Sequence, residues 1–186
     1  MSNFLDQFRP DLRVRAITDI DPVSLYEQGY VGLLLDLDNT LLPWKSSDLP
    51  ESSKRWIERA KQAGMKPCIV SNTHYPKRLD RIASGMEVPW VAQALKPRGF
   101  GFEKAAKMIG CGLENAVVVG DQLLTDILGG NLACAYTILV NPMHPREFIG
   151  TKISRVFERI IFWSMGTASR QGTKSEPGKS EEKDTK

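Results

Sequence analysis

The sequence predicts an α/β fold: a doubly wound, Rossmann-like parallel sheet of about five strands with helices on both faces and no cap domain. Three observations predict it. Short apolar runs at 31–35, 66–70, 88–94, 116–119 and 134–140 alternate with stretches whose apolar residues recur at helical spacing. The first run is continuous rather than alternating, as a strand buried on both faces requires. Four successive runs stop at polar residues: Asp36 and Asp38, then Ser71-Asn72, then Lys96, then Asp121. In a parallel sheet all four would gather on one edge, where ligands bind.

Taken in order, residues 1–15 read as a loosely structured arm. Asp6, Arg9, Asp11, Arg13 and Arg15 interrupt its apolar residues, so it lacks the apolar centre of a signal peptide. Asp21-Pro22 starts a helix over 23–28, with Asp as N-cap and Pro at the first position, and Gly29 ends it. The strand 31–35 follows at once. Residues 41–50 form a loop with Pro43, Trp44 and two serines. Trp56, Ile57 and Ala60 place a helix over 51–63, closed by Gly64. A strand over 66–70, a helix over 75–83 closed by Gly85, and a strand over 88–94 come next. Lys96-Pro97-Arg98-Gly99 breaks the chain before a helix over 100–109. The strand 116–119 ends in Gly120-Asp121. A helix over 122–128 stops at Gly129-Gly130, and the strand 134–140 completes the set.

A last helix over 146–163 carries Ile149, Ile153, Val156, Phe157 and Ile160 at helical spacing. Beyond Gly166 the chain is rich in Ser, Gly, Lys and Glu and has no large apolar residue. One domain over 1–166 and a disordered polar tail over 167–186 are therefore expected.

Composition narrows the function classes. An apolar fraction of 41% and a charged fraction of 25% suit a water-soluble domain. A net charge of +3 is too small to argue for nucleic acid, so no such partner is expected, but it permits contact with an anionic surface. No stretch reaches the ~18 apolar residues that span a bilayer. The expected location is cytoplasmic, or peripheral on the inner face of a membrane. The three cysteines form no CxxC pair. Cys68 and Cys134, in or beside strand runs, read as buried thiols, with no disulfide or zinc site expected. His74 and His144 have no partnered spacing and read as surface residues.

A strand that ends by setting two carboxylates beside a core needs their charge offset. A divalent cation with a phosphate beyond it does so, which points to phosphoryl transfer. Each group alone has a plainer reading. Asp36 and Asp38 suit an Asp-rich turn, Ser71-Asn72 a turn, Lys96 a solvated loop, and Asp121 a helix N-cap. Their joint placement on one edge carries the functional reading.

The four motifs Asp36-Leu37-Asp38-Asn39-Thr40-Leu41, Val70-Ser71-Asn72, Leu95-Lys96-Pro97 and Gly120-Asp121-Gln122-Leu123-Leu124-Thr125-Asp126 stand in an order that resembles the haloacid dehalogenase (HAD) superfamily of phosphohydrolases. The resemblance covers roughly 29–140. The continuation Asn39-Thr40-Leu41-Leu42-Pro43-Trp44 and the segment 10–30 further resemble the IIIA subclass, which includes the YqeG-type and phosphatidylglycerophosphate phosphatases. The resemblance implies a Mg²⁺-dependent phosphomonoester hydrolase with Asp36 as the nucleophile that forms an aspartyl phosphate. It implies Mg²⁺ ligation by the Asp36 side chain, the Asp38 backbone carbonyl and Asp121, with Asp126 completing or orienting the set. Asp38 would be the general acid and then the base, held by a hydrogen bond from Thr40. Thr40, Ser71, Asn72 and Lys96 would serve the phosphate, with Lys96 also bridging to Asp36.

The spacing from Thr40 to the helix at 51, and from Asn72 to Lys96, leaves no room for a cap. An open site suits a large or immobilised substrate. The favoured substrate by resemblance is phosphatidylglycerophosphate, giving phosphatidylglycerol. The alternatives are nucleotides, sugar phosphates or nucleic-acid ends, or a phospho-aspartate switch without turnover. Lys152, Arg155 and Arg159, with Phe162-Trp163 at its end, let the 146–163 helix either pack on the sheet or lie on an anionic membrane.

Overall fold

The computed structural model describes residues 4–143. The expected 146–163 helix, His144 and the 167–186 tail lie outside the described residues. Six strands form one sheet: β1 (Leu12–Val14), β2 (Gly32–Leu35), β3 (Lys66–Val70), β4 (Trp90–Val91), β5 (Ala116–Gly120) and β6 (Tyr136–Val140). Their order is β1-β6-β5-β2-β3-β4, and every pairing is parallel. The helices are α1 (Pro22–Glu27), α2 (Glu51–Gln62), α3 (Pro76–Ser84), α4 (Phe100–Ile109) and α5 (Leu128–Leu132).

Alternation along β2 explains why its sequence is apolar throughout. Leu33 and Leu35 face one way, packing with Leu25 of α1, Trp56 and Ile57 of α2, and Leu79 and Ile82 of α3. Leu34 faces the other way, against Phe102, Ala105 and Ile109 of α4. Both faces are covered, so a strand of the interior has no polar side. The fold is the expected doubly wound α/β sheet, and among the described residues no cap interrupts it. Asp21 caps α1 as the sequence indicates, accepting from Ser24 N at 3.3 Å.

Three elements differ from the sequence expectation. The supposed loose arm supplies β1, a sixth strand. It is only three residues long and partly exposed, too short to carry a periodic signal. Its support is long-range: it pairs with β6, Thr137 N donates to Asp11 Oδ2 at 2.8 Å, and Asn131 Nδ2 donates to Gln7 O at 2.7 Å. The expected strand 88–94 shrinks to β4. Glu87 and Gln93, at φ 53° and 49°, bend the chain on either side of it. The helix expected to stop at Gly129-Gly130 runs through them, as a π-type turn over Leu123–Ile127 followed by α5. A Cβ on Gly129 would lie 2.7 Å from the Phe102 ring, and one on Gly130 would lie 2.6 Å from Thr137 Cγ2. These glycines permit close packing rather than ending a helix. Cys68 is buried as expected. Cys134 is not: it sits exposed at φ 58° in the turn before β6.

Candidate active site

β2 and β5 lie side by side with Leu35 opposite Val119. Their carboxyl ends lie next to each other, and Asp36 N still donates to Val119 O at 2.9 Å. Asp36 follows one strand and Asp121 the other. Asp126 comes back toward them from the π-type turn. One carboxylate oxygen from each of Asp36, Asp121 and Asp126 lies within 4.8 Å of the other two. Gly120 makes this possible, because a Cβ there would sit 2.3 Å from Asp126 Cγ.

Lys96, from the loop after β4, reaches the same point. Its Nζ stands 2.6 Å from Asp36 Oδ1 and 2.6 Å from Asp126 Oδ1, with the side chain 3% exposed. The loop is clamped by Asn72, whose Nδ2 donates to Lys96 O at 3.1 Å and whose Oδ1 accepts from Lys96 N at 2.9 Å. Asn72 therefore positions the lysine as well as bordering the cleft.

One ammonium faces three carboxylates. Burial raises the Asp36 carboxyl to about 7, against the pull of Lys96. Burial, then the nearby Asp36 and Asp126, raises Asp121 to about 8. For Lys96 burial alone would favour the neutral amine, but Asp126 and Asp36 outweigh it and hold the ammonium charged. Asp36 Oδ2 and Asp121 Oδ1 are buried without a hydrogen-bond partner. Orphaned carboxylate oxygens that close together fit a hard divalent cation, and the cluster offers oxygen ligands alone. Asp36 and Asp121 are the pair best placed to hold it. Asp126 has committed both oxygens, one to Lys96 and one to Gln122 N at 3.1 Å, so it orients the lysine.

Asp38 stands in a tight turn that begins just after Asp36. Asn39 adopts φ 65°, and Leu41 N returns to Leu37 O at 3.0 Å. The Asp38 carboxylate accepts a forked pair from Arg78, 3.1 Å from Nη1 and 2.8 Å from Nη2, and a further bond from Lys45 N at 3.1 Å. Its backbone carbonyl is what Asp38 can offer a cation. The bond expected from Thr40 is not made: Thr40 Oγ1 is buried without a partner, and Thr40 does not border the cleft. Ser71 is buried at the foot of the cleft, its Oγ accepting from Thr73 N at 3.2 Å.

The cleft has a volume of about 670 Å³ and runs from Asp36 and Ser71 outward to Trp44, His74 and Tyr75. His74 is exposed, as expected, yet it borders the cleft. Arg78 and Tyr75 were not legible as site residues. Arg78 lies forty positions from Asp38 in sequence and reads there as an ordinary basic residue of a helix.

Comparison with known proteins agrees with this geometry. A HAD-hydrolase-like family model matches residues 94–142, which hold Lys96, Asp121 and Asp126. The chain is 39% identical over 157 residues to the probable phosphatase YqeG of Bacillus subtilis, covering 83% of this chain and 89% of that protein. It is 28% identical over 163 residues to the chloroplastic phosphatidylglycerophosphate phosphatase 1 of Chlamydomonas reinhardtii, covering 83% of this chain and 60% of that one. The fold matches the cobalt-bound deoxy-D-mannose-octulosonate 8-phosphate phosphatase of Haemophilus influenzae with a TM-score of 0.50 at 14% identity, over 82% of this chain and 96% of that one. With its carboxylates, lysine and open sheet edge in this arrangement, the chain belongs to the haloacid dehalogenase superfamily of phosphohydrolases, alongside YqeG.

Proposed function

We propose that this phosphatase hydrolyses phosphatidylglycerophosphate, or a closely similar lipid phosphomonoester, with Mg²⁺ at the Asp36–Asp121 pair. The observation that carries the chemistry is the pair of buried, unpartnered oxygens, Asp36 Oδ2 and Asp121 Oδ1, beside the Lys96 ammonium. Bound there, Mg²⁺ would offset the negative charge of the carboxylates and of the phosphate that must approach them.

The residues supply the rest. An Asp36 oxygen attacks phosphorus; the bond from phosphorus to the ester oxygen breaks as the aspartyl phosphate forms. Asp38, at the cleft wall, is the group placed to protonate the departing alkoxide, a role that requires it to take up a proton and the forked bond from Arg78 to loosen as the ester enters. A water then attacks the phosphorus of the aspartyl phosphate, Asp38 takes the proton back, and inorganic phosphate leaves Asp36 free. Lys96 and the Ser71 hydroxyl meet the charge on the phosphoryl oxygens. Asp126 keeps Lys96 in place. Asp38 argues for turnover over a switch that stores the phosphoryl group.

The lipid assignment is supported by the open cleft and by the likeness to the algal enzyme. The alternative substrates are nucleotides and sugar phosphates, for which Trp44 and Tyr75 at the cleft offer stacking faces. Phosphate release is measured from phosphatidylglycerophosphate in mixed micelles, from nucleotides and from sugar phosphates, with Asp36→Asn as the blank. The expected result is Mg²⁺-dependent release from the lipid, lowered on the order of 10⁴-fold in Asp36→Asn. Release from soluble substrates alone would overturn the lipid assignment, and full activity in excess chelator would overturn the metal.

A further inference from the structure

The loops that follow β2, β3 and β4 are tied to one another around the cleft. Arg78 Nε donates to Ser46 O at 2.9 Å, joining the first to the helix after the second. Gln93 N donates to Thr73 O at 3.3 Å, and Asn72 and Lys96 exchange two bonds, joining the second to the third. The three segments 43–47, 72–79 and 93–100 are thus tied into one rim at the carboxyl edge of the sheet, of which the first two border the cleft itself. Their charged residues are basic, Lys45, His74, Lys77, Arg78, Lys96 and Arg98, with the exposed Asp48 and Asp80 next to them in the chain. Arg78 and Lys96 are committed to Asp38 and to the buried carboxylates, while Lys45, Lys77 and Arg98 are exposed.

The same rim carries three of the most exposed apolar side chains of the described residues. Among the described residues, the largest exposures of bulky apolar side chains are Tyr75 at 73%, Phe100 at 61%, and Leu95 and Leu132 at 54%. Three of these four belong to the rim. A surface that joins exposed apolar side chains to a majority of basic ones matches an anionic lipid surface, where the apolar groups enter the headgroup region and the cations meet phosphates.

We propose that the cleft rim, through Leu95, Phe100, Lys77 and Arg98, docks on an anionic bilayer and opens the active site toward the headgroups. This rests on the lipid-substrate reading above and adds to it the surface that delivers the site to its substrate. No described helix is long and apolar enough to cross a membrane.

The test uses the full chain with vesicles of phosphatidylcholine alone or mixed with phosphatidylglycerol, read by co-sedimentation. Two variants suit the local backbone. Leu95 sits at φ 56°, which asparagine tolerates, and Phe100 opens α4, where an acid is favourable, so Leu95→Asn/Phe100→Glu keeps the fold. Lys77→Glu/Arg98→Glu reverses the charge. The expected result is binding to the anionic vesicles that weakens with salt and falls about tenfold or more in each variant, with p-nitrophenyl phosphate hydrolysis unchanged. Binding by both variants equal to wild type, or no binding by wild type, overturns the proposal. So does retention on a single-stranded oligonucleotide in place of vesicles. Salt-sensitive vesicle binding lost in the variants would uphold the docking surface even if phosphatidylglycerophosphate were not hydrolysed. Hydrolysis in micelles without vesicle binding would remove the surface and leave the substrate.

Discussion

At the scale of single residues, the account turns on which charges are committed. Lys96 is the one ammonium of the buried cluster, so Lys96→Met leaves Asp36 and Asp126 facing each other without it. Loss of one partner from a buried ionic group costs about 3–5 kcal/mol, and denaturant unfolding of the chelated protein should show it. Arg78 holds Asp38 in a two-pronged grip that lysine cannot copy. Arg78→Gln and Arg78→Lys should both lower kcat on an alkyl phosphate by about tenfold or more, since Arg78 fixes where Asp38, the proposed acid, stands. Hydrolysis of p-nitrophenyl phosphate, whose leaving group needs little protonation, should fall much less. Equal losses on both esters would show that Arg78 serves the fold alone.

The carboxylates also set a pH dependence. Asp36 and Asp121 have folded values raised to about 7 and about 8 from 3.8, chiefly by burial. The folded metal-free protein therefore holds protons that the unfolded chain has released. That contribution to stability is fully present below about pH 4 and is lost as pH rises through about 7 to 8. Thermal unfolding of chelated protein should give a Tm that declines across this window. Saturating Mg²⁺ should remove the decline, because the ion binds the charged carboxylates and displaces their protons. A Tm independent of pH in chelator would show that the carboxylates are not crowded.

At the scale of elements, what was legible depended on how local the signal was. β2, β3 and β5 are buried on both faces and announce themselves as apolar runs. The site aspartates were legible because of those runs: each alone suits a turn or a cap, but parallel strands bring them together on one edge. β1 has no such signal, because three residues paired to a strand more than a hundred positions away can only be seen once β6 is in place. Gly129-Gly130 misled because a glycine pair ends many helices, while its use here depends on what lies across the interface. Arg78 was hidden likewise, its partner being distant in sequence. The Gly129 contact has a functional side. A Cβ there would come within 3.0 Å of the Pro97 backbone, next to Lys96. Gly129→Ala should cost about 1–3 kcal/mol in stability and lower kcat through the displaced lysine loop. A stable, fully active Gly129→Ala would show that the loop moves without consequence.

At the scale of the molecule, the sheet is a frame that brings distant segments to one edge. The order β1-β6-β5-β2-β3-β4 puts β2 in the interior, with β5 on one side and β3 on the other. The proposed nucleophile Asp36, the proposed metal ligand Asp121 and the proposed phosphate-binding Ser71 thus come from three adjacent strands. The rim outside them is basic and apolar, whereas the floor is acidic. A phosphate ester would pass a cationic margin before it meets the carboxylates, and the floor needs its cation to receive it. The central claim is that one divalent ion is shared by Asp36 and Asp121 across the β2–β5 boundary. Titration calorimetry of Mg²⁺ into metal-free protein at pH 8, for wild type and Asp121→Asn, addresses it most directly. A single site is expected in wild type, with at least about tenfold weaker binding in the variant. Equal affinity in the two proteins would contradict it.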